Sequence, residues 1–263
     1  MTRVSVVIVS HNRFTQLRES LEALGTEHQV IVVDNGSTEN AAALETEFPA
    51  VRFIRLPKNF GLTKAMNLGL RSADGEFVLF LHDDTRIPAE AVSELANILE
   101  IHPEVGAVAP LLVDSYGHPT PQIRDSPPLE ALRPVDASTG ADVPSVSGAA
   151  LMVRMFFLKA MRQIDEHYGN FGSDMDLCAQ VHTRANKKVR IAQSVRAVHS
   201  PAPQTSALLT ADREQAAAVY LGKYQGAAAG LKHRAASALS AIVTFRWGLA
   251  KYLLTGQKLD GTQ

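Results

Sequence analysis

The sequence is poor in cysteine, with one, Cys178, in 263 residues. An intrachain disulfide framework is therefore excluded, and a reducing compartment, the cytoplasm, is the expected location. Net charge is equally scant. Twenty-six Lys and Arg against 27 Asp and Glu leave a formal charge of -1, which excludes a chain-wide pull on nucleic acid. Long apolar runs are missing too. The run Val4–Val9 is too short for a secretory leader, and no small-residue cleavage site follows it. A membrane-spanning helix needs about 20 mostly apolar residues, and the best stretch, Ala235 to Leu254, is broken by Arg246 and Lys251. The glycine-rich turn of a dinucleotide-binding fold is absent: Ser10-His11-Asn12-Arg13 stands in its place, and no P-loop occurs. What is present, 46% hydrophobic and 20% charged residues, is an ordinary globular composition.

The first half alternates strand and helix signals. Val4–Ser10, Val30–Asp34, Val51–Leu56, Phe77–Leu81 and Val105–Leu112 read as strands. Gln16–Leu24, Ala41–Glu47, Thr63–Ser72 and Ala89–Glu100 read as helices between them, with Thr63 as a cap and Pro88 in a first-turn position. Near-continuous apolar strands, each followed by a helix, predict a parallel sheet covered on both faces. Ser115–Ser145 breaks the rhythm with Pro, Gly, Ser and Asp and reads as a long surface excursion beside a site. A strand at Ala149–Arg154, a helix at Met155–Gln163, a helix at Asp174–Asn186 and two short strands, Val189–Ala192 and Val195–His199, follow. Two helical stretches close the chain, separated near Gly226–Gly230.

Open parallel sheets bind ligands at the carboxyl ends of their strands. Three such ends are polar: Ser10-His11-Asn12-Arg13, Asp34-Asn35-Gly36-Ser37 and His82-Asp83-Asp84-Thr85. Helix caps and turns account for Ser, Asn and Asp at such places, and Asn35-Gly36-Ser37 alone reads as a turn. Two adjacent carboxylates after a buried strand need compensation, and a divalent cation, Mg²⁺ or Mn²⁺, supplies it.

These residues, in this order, resemble the inverting family-2 glycosyltransferases with the GT-A fold, from Val4 to about Ser206. Val6–Arg13 is similar to the opening strand and nucleotide loop, and Val32–Ser37 to the second. Asn59-Phe60-Gly61…Asn67-Leu68-Gly69 resembles the rhamnosyltransferase-like branch. Phe80–Thr85 occupies the metal motif, Ser147–Arg154 the acceptor-side strand, Phe171–Cys178 the segment of the base, and Val198-His199 the late metal histidine. Two positions depart from the pattern. His82 replaces the first carboxylate of Asp-x-Asp, and Ser173 replaces a Glu.

The resemblance implies a Rossmann-like α/β domain, residues 1–209, with a mostly parallel sheet flanked by helices, and a helical extension, residues 210–263. It implies transfer of a hexose or deoxyhexose from a UDP- or dTDP-linked sugar to a glycan or lipid-linked acceptor. Asp174 is then the general base, the alternative being a first-turn carboxylate of its helix. Asp84 and His199 hold the cation. Ser10, Asn12, Arg13, Asp34, Asn59, Lys64, His82 and Asp83 bind the donor. Arg154 and Asp176 lie on the acceptor side, with a surface role the alternative for Arg154. Cys178 reads as core.

No acidic residue occurs from Gln215 to Leu259, and Leu231, Ala235, Leu239, Ile242, Phe245, Leu249 and Leu253 recur at helical spacing. A basic amphipathic helix of this kind packs on its own domain, on a second subunit as a homodimer, or peripherally on the cytoplasmic face of a membrane. Two other functions compete. A sugar nucleotidyltransferase needs a Gly-rich basic loop after the first strand, which Ser10–Arg13 does not supply. A catalytically inactive nucleotide-sugar or glycan-binding protein draws its support from His82 and Ser173.

Overall fold

The computed structural model describes residues 4–39, 41–127, 131–136, 142–201 and 206–256. Val and Ile fill the first strand apart from Ser5 and Ser10, and this strand, β1 (Val4–Ser10), lies in the interior of the sheet. There follow α1 (Phe14–Leu24), β2 (Gln29–Asp34), α2 (Ala42–Glu47), β3 (Arg52–Arg55), α3 (Leu62–Leu70), β4 (Phe77–His82), β5 (Thr85–Arg86), α4 (Ala89–Ile101) and β6 (Val105–Val113). The chain continues through β7 (Asp142–Val143), β8 (Ala150–Arg154), α5 (Met155–Ala160), α6 (Ser173–Thr183) and β9 (Lys188–His199) to α7 (Ala207–Tyr224), α8 (Ala227–Val243) and α9 (Trp247–Thr255).

The strands form one sheet in the order β3-β2-β1-β4-β8-β6-β9-β5, with β7 also paired to β9. Alternate side chains of each strand enter opposite cores. Val6 and Ile8 pack with α1 and α4 residues such as Leu17, Leu21 and Leu95, whereas Val7, Val78 and Phe80 pack with Leu158, Leu177 and Cys178. Cys178 is fully buried, and burial pushes its thiol up to about 12.

The sheet is mostly parallel, as expected, including the long β6–β9 pairing, but one central strand is reversed. Pairings are parallel across β3-β2-β1-β4, but β8 runs antiparallel to both β4 and β6. After β6 the chain does not cross back through a helix. It returns through the excursion, so β8 enters the sheet from the opposite end. The excursion is also more than surface. Gln122 and Ile123 are fully buried, and Gln122 donates to Pro110 O and accepts from Leu112 N. Its residues 128–130 and 137–141 lie outside the described residues. The two short strands expected at Val189–Ala192 and Val195–His199 are one strand, β9, whose pairing with β6 shifts register between Ala192 and Arg196.

Thr63 does not cap α3. Gly61 stands at that position, and the Thr63 hydroxyl donates to Gly169 O. The C-terminal helices pack on one another around a small core of Ala211, Ala238, Ala241, Leu249, Ala250 and Leu253. α7 is continuous across residues 209 and 210, where the sequence places a domain boundary, because its cap is Ser206.

Candidate active site

Parallel pairing of β1 with β2 and β4 sets Ser10 beside Asp34 and Val9 beside His82, so three polar strand ends open on one edge. Gly36 turns the second of them back. Its φ is +77°, and a Cβ there would lie 2.2 Å from the Lys58 carbonyl carbon. That approach lets Asn35 Nδ2 donate to Asn59 Oδ1 at 2.9 Å and Phe60 N donate to Asn35 Oδ1 at 2.9 Å. Asn35 is thus a structural clamp at the cavity, beyond the turn residue read from sequence. Asp34 Oδ1 accepts Ser37 N at 2.9 Å, and Asn12 Oδ1 accepts Thr38 N at 2.8 Å, which ties the first loop to the second.

A cavity of about 580 Å³ lies against these ends, with Ser10, Arg13, Asn59, His82, Asp83 and Asp174 on its wall. Beside it the two adjacent carboxylates, of which Asp83 lines the cavity, have separated. Asp83 Oδ2 accepts from Ser10 Oγ at 2.8 Å, and Arg13 reaches Asp83 at 3.4 Å and Asp84 Oδ2 at 3.0 Å. The turn that carries them is pinned from α1, where the buried Ser20 hydroxyl lies 3.0 Å from Asp83 O and 2.8 Å from Thr85 O. Burial raises Asp83 to about 6 despite Arg13 and Ser10. Asp84 behaves in the opposite way. Burial would raise it, but His199, His82 and Arg13 outweigh burial and hold it at about 2.

Asp84 Oδ1 is buried and has no hydrogen-bond partner. His199 Nε2 lies 3.4 Å from it and His82 Nδ1 4.0 Å, contacts that are electrostatic and poorly aligned for hydrogen bonding. Leaving a carboxylate oxygen so exposed to desolvation costs about 1–3 kcal/mol or more. Ligand atoms of His82, Asp84 and His199 all lie within 4.8 Å of one another, a separation suited to a shared cation. Antiparallel pairing of β5 with β9 places His199 opposite Thr85, which is how the late histidine reaches the cluster. His82, expected on the donor phosphates, therefore stands with Asp84 and His199 in the group that could hold a cation, while Asp83 stands outside it. Desolvation lowers the His82 pKa although part of its ring faces the cavity, which favours the neutral, ligating form.

Asp174 sits in the first turn of α6 and is saturated with donors. Gly148 N (2.9 Å) and Arg124 Nη1 (3.0 Å) donate to Oδ2, and Met175 N (2.8 Å) donates to Oδ1. Gly148 leaves room for this approach, since a Cβ there would lie 3.0 Å from Asp174 Cβ, a tight contact. Burial would raise this carboxyl, but the Arg124 guanidinium and the two N–H groups lower it below its ordinary value. Arg124 was not legible in sequence. It arrives from the proline-rich excursion without a local motif, and the only local hint is the apolar Ile123 beside it.

Three expected site residues lie elsewhere. Arg154 is at the opposite end of β8, where it pairs with Phe77, and its guanidinium donates to Leu99, Val105 and His102 carbonyls. It closes the end of α4 and leaves the acceptor side. Asp176 is fully buried on the other side of α6 and accepts from Tyr168, Tyr224, Gln180 and Lys223. Residues two apart on a helix do not share a face. Lys64 is exposed, its ammonium 4.9 Å from the Phe60 ring centroid. Asn67 spends its amide on Ile164 and Glu166, so the Asn59–Gly69 segment builds the cavity floor.

The sheet order and the polar strand-end cavity define a GT-A type α/β fold. Residues 5–161, more than half of the sequence, match the family described as Glycosyl transferase family 2, and the chain belongs to that family. An uncharacterized glycosyltransferase of Haemophilus influenzae is 28% identical over 109 residues, 40% of this chain and 37% of that protein. The matched segments span between 27% and 37% of the curated relatives' own lengths. Among solved structures, S. aureus TarS 1-349 in complex with UDP-GlcNAc superposes with a TM-score of 0.58 at 20% identity, covering 84% of this chain and 67% of that one. The mannosyltransferase PcManGT of Pyrobaculum calidifontis, in complex with GDP-Man and Mn2+, gives 0.60 at 18% identity, covering 95% and 80%. These likenesses fix the fold.

Proposed function

We propose that this protein transfers a hexose or deoxyhexose from a nucleoside-diphosphate sugar to a glycan or lipid-linked acceptor, with inversion at the anomeric carbon. The observation that supports the reading is a cavity lined by both His82, which adjoins the unsatisfied Asp84 oxygen and His199, and a separate, ionised carboxylate, Asp174.

His82, Asp84 and His199 are the residues that would hold a divalent cation. Two imidazoles and one carboxylate suit Mn²⁺ better than Mg²⁺, which prefers oxygen ligands alone. Bound there, the cation supplies charge neutralisation for the diphosphate leaving group. Arg13 holds Asp84 Oδ2 and so aims Oδ1 at the cluster. Ser10 and Arg13 hold Asp83 at the donor side, and Asp34 with Asn59 receives the nucleoside. Asn12 acts indirectly by fastening the first two loops together.

Asp174 takes the proton of the acceptor hydroxyl as its oxygen bonds to the anomeric carbon and the bond to the diphosphate breaks. A single displacement of this kind inverts the centre. Arg124 keeps Asp174 in the basic, ionised form, and the acceptor reaches it by sharing or displacing that guanidinium. The uridine and guanosine donors of the two solved neighbours share one fold, so the contacts around Asp34 and Asn59, rather than the fold, select the base.

A thermal-shift screen of nucleoside diphosphates with and without Mn²⁺ tests the donor half, and a turnover assay with the matched sugar nucleotide tests the rest. Stabilisation by a nucleoside diphosphate only when Mn²⁺ is present is expected. Tight nucleotide binding that ignores Mn²⁺ and survives Asp84→Ala counts against the reading.

A further inference from the structure

The C-terminal helices bury small residues and display large ones. Their shared core is largely alanine, whereas Leu231 (70%), Leu239 (62%), Val243 (66%), Phe245 (77%), Trp247 (62%) and Leu254 (63%) are exposed. Packing for stability alone would place these side chains the other way round. On α8 the exposed Leu231, Ala235, Leu239 and Val243 recur every fourth residue and form one ridge. The ridge ends at the α8–α9 elbow. There Phe245 has a φ of +55°, unusual for an aromatic residue, and its ring meets Trp247 edge-on at 6.2 Å. On α9 the exposed side carries Trp247, Lys251 and Leu254, while Leu249, Ala250 and Leu253 face inward.

Within α8, α9 and the elbow between them, every Asp, Glu, Lys or Arg position is a Lys or Arg. Lys232, Arg246 and Lys251 are exposed, and no acidic residue occurs between Gln215 and Leu259. Since the whole chain carries -1, the rest of the protein is correspondingly acidic and the basic charge is concentrated here. A symmetric contact between two copies would set these cations against one another. An anionic lipid surface complements them, and Trp and Phe prefer the headgroup boundary. No described helix is long and apolar enough to cross a membrane.

We propose that the outward side of α8 and α9 docks peripherally on an anionic bilayer surface, with Phe245 and Trp247 entering the headgroup region and Lys232, Arg246 and Lys251 contacting the anionic lipids. This goes beyond the sugar-transfer reading and rests on different residues.

Trp247 is the sole tryptophan of the chain, so its emission reports this elbow alone. With vesicles of equal phosphatidylcholine and phosphatidylglycerol, the full chain is expected to shift its emission to the blue and to float with the lipid. Both effects should fade in high salt and be far weaker with phosphatidylcholine alone. Lys232→Glu/Arg246→Glu/Lys251→Glu is expected to weaken flotation on the order of a hundredfold, since each basic residue near such a surface contributes about fivefold. These are exposed positions, and an unchanged melting temperature checks the fold. Phe245→Gln, scored by flotation and by Trp247 emission, gives a second, charge-neutral variant expected to weaken binding. Equal binding to neutral and anionic vesicles, or none to either, overturns the proposal. So does a blue shift that needs only higher protein concentration and accompanies a dimer in light scattering. None of these readouts requires turnover, so the proposal fails or stands independently of the catalytic one.

Discussion

Asp174 and Asp176 stand two residues apart on α6 and work on opposite sides of it. Asp174 faces the cavity and pairs with Arg124, and 18% of its side chain remains accessible. Asp176 is sealed against the C-terminal bundle by two tyrosines, Gln180 and Lys223. The same residue type, in the same turn, faces the cavity on one side, where we propose it acts as the base, and serves assembly on the other. Burial with donors does not by itself mark a catalytic carboxylate. Access to a cavity does, together with partners that a ligand is able to displace.

The largest way to sharpen that contrast is Asp174→Asn. Asparagine keeps the shape and still accepts Gly148 N–H but cannot take a proton. Turnover is expected to fall about 10²–10⁴-fold with nucleotide binding retained, the usual worth of a general base. Steady-state kinetics beside calorimetry would read it, and full turnover removes Asp174 as the base.

Asp84→Ala carries the comparison to a carboxylate with one oxygen held by Arg13 and the other without a hydrogen-bond donor, instead of one saturated with them. Mn²⁺ affinity, measured by calorimetry, is expected to fall at least about a hundredfold, since even outer partners of metal ligands are worth 10–100-fold. An unchanged affinity would show that the histidines hold no ion with Asp84.

Asp176→Asn should do the reverse of Asp174→Asn. It leaves Lys223 with Asp165 as its remaining partner, so a stability loss of about 2 kcal/mol is expected in a denaturant titration, with kcat unaffected. A loss of kcat with no loss of stability would restore Asp176 to the site.

The smallest effect is expected from Arg124→Gln. Arg124 lowers the Asp174 pKa, and without it the remaining burial raises that pKa. A base must be ionised in the free enzyme, so the acid limb of the pH profile of kcat/KM should move to higher pH. A limb that stays in place breaks the link between the two residues.

Strand ends carried most of what could be read along the chain. Ser10–Arg13, Asp34–Ser37 and His82–Thr85 are contiguous clusters after apolar runs, and apolar strands fix where a sheet ends. Arg124, Gly148 and Asn170 left no such trace. Asn170, also on the cavity wall, is held there because Asp212 of α7 accepts its backbone N–H at 2.8 Å, while its own side chain accepts Leu62 N at 3.2 Å. Each of those bonds joins segments far apart in the chain, and no local propensity encodes them. Arg154 misled for the same reason. Its number lies in the right strand, but the antiparallel direction of β8 puts it at the wrong end.

The sequence by itself determined the apolar strands and the polar residues at their ends, because these follow from local pattern, while Asp84, His199 and Asp174 were singled out only by the family resemblance. Only the tertiary structure decided that His82 joins Asp84 and His199 while Asp83 turns to Ser10 and Arg13. It also decided that Arg124 guards Asp174 and that Asp176 belongs to the bundle. Strand direction, register and helix face govern those choices, and they are set when distant segments pack.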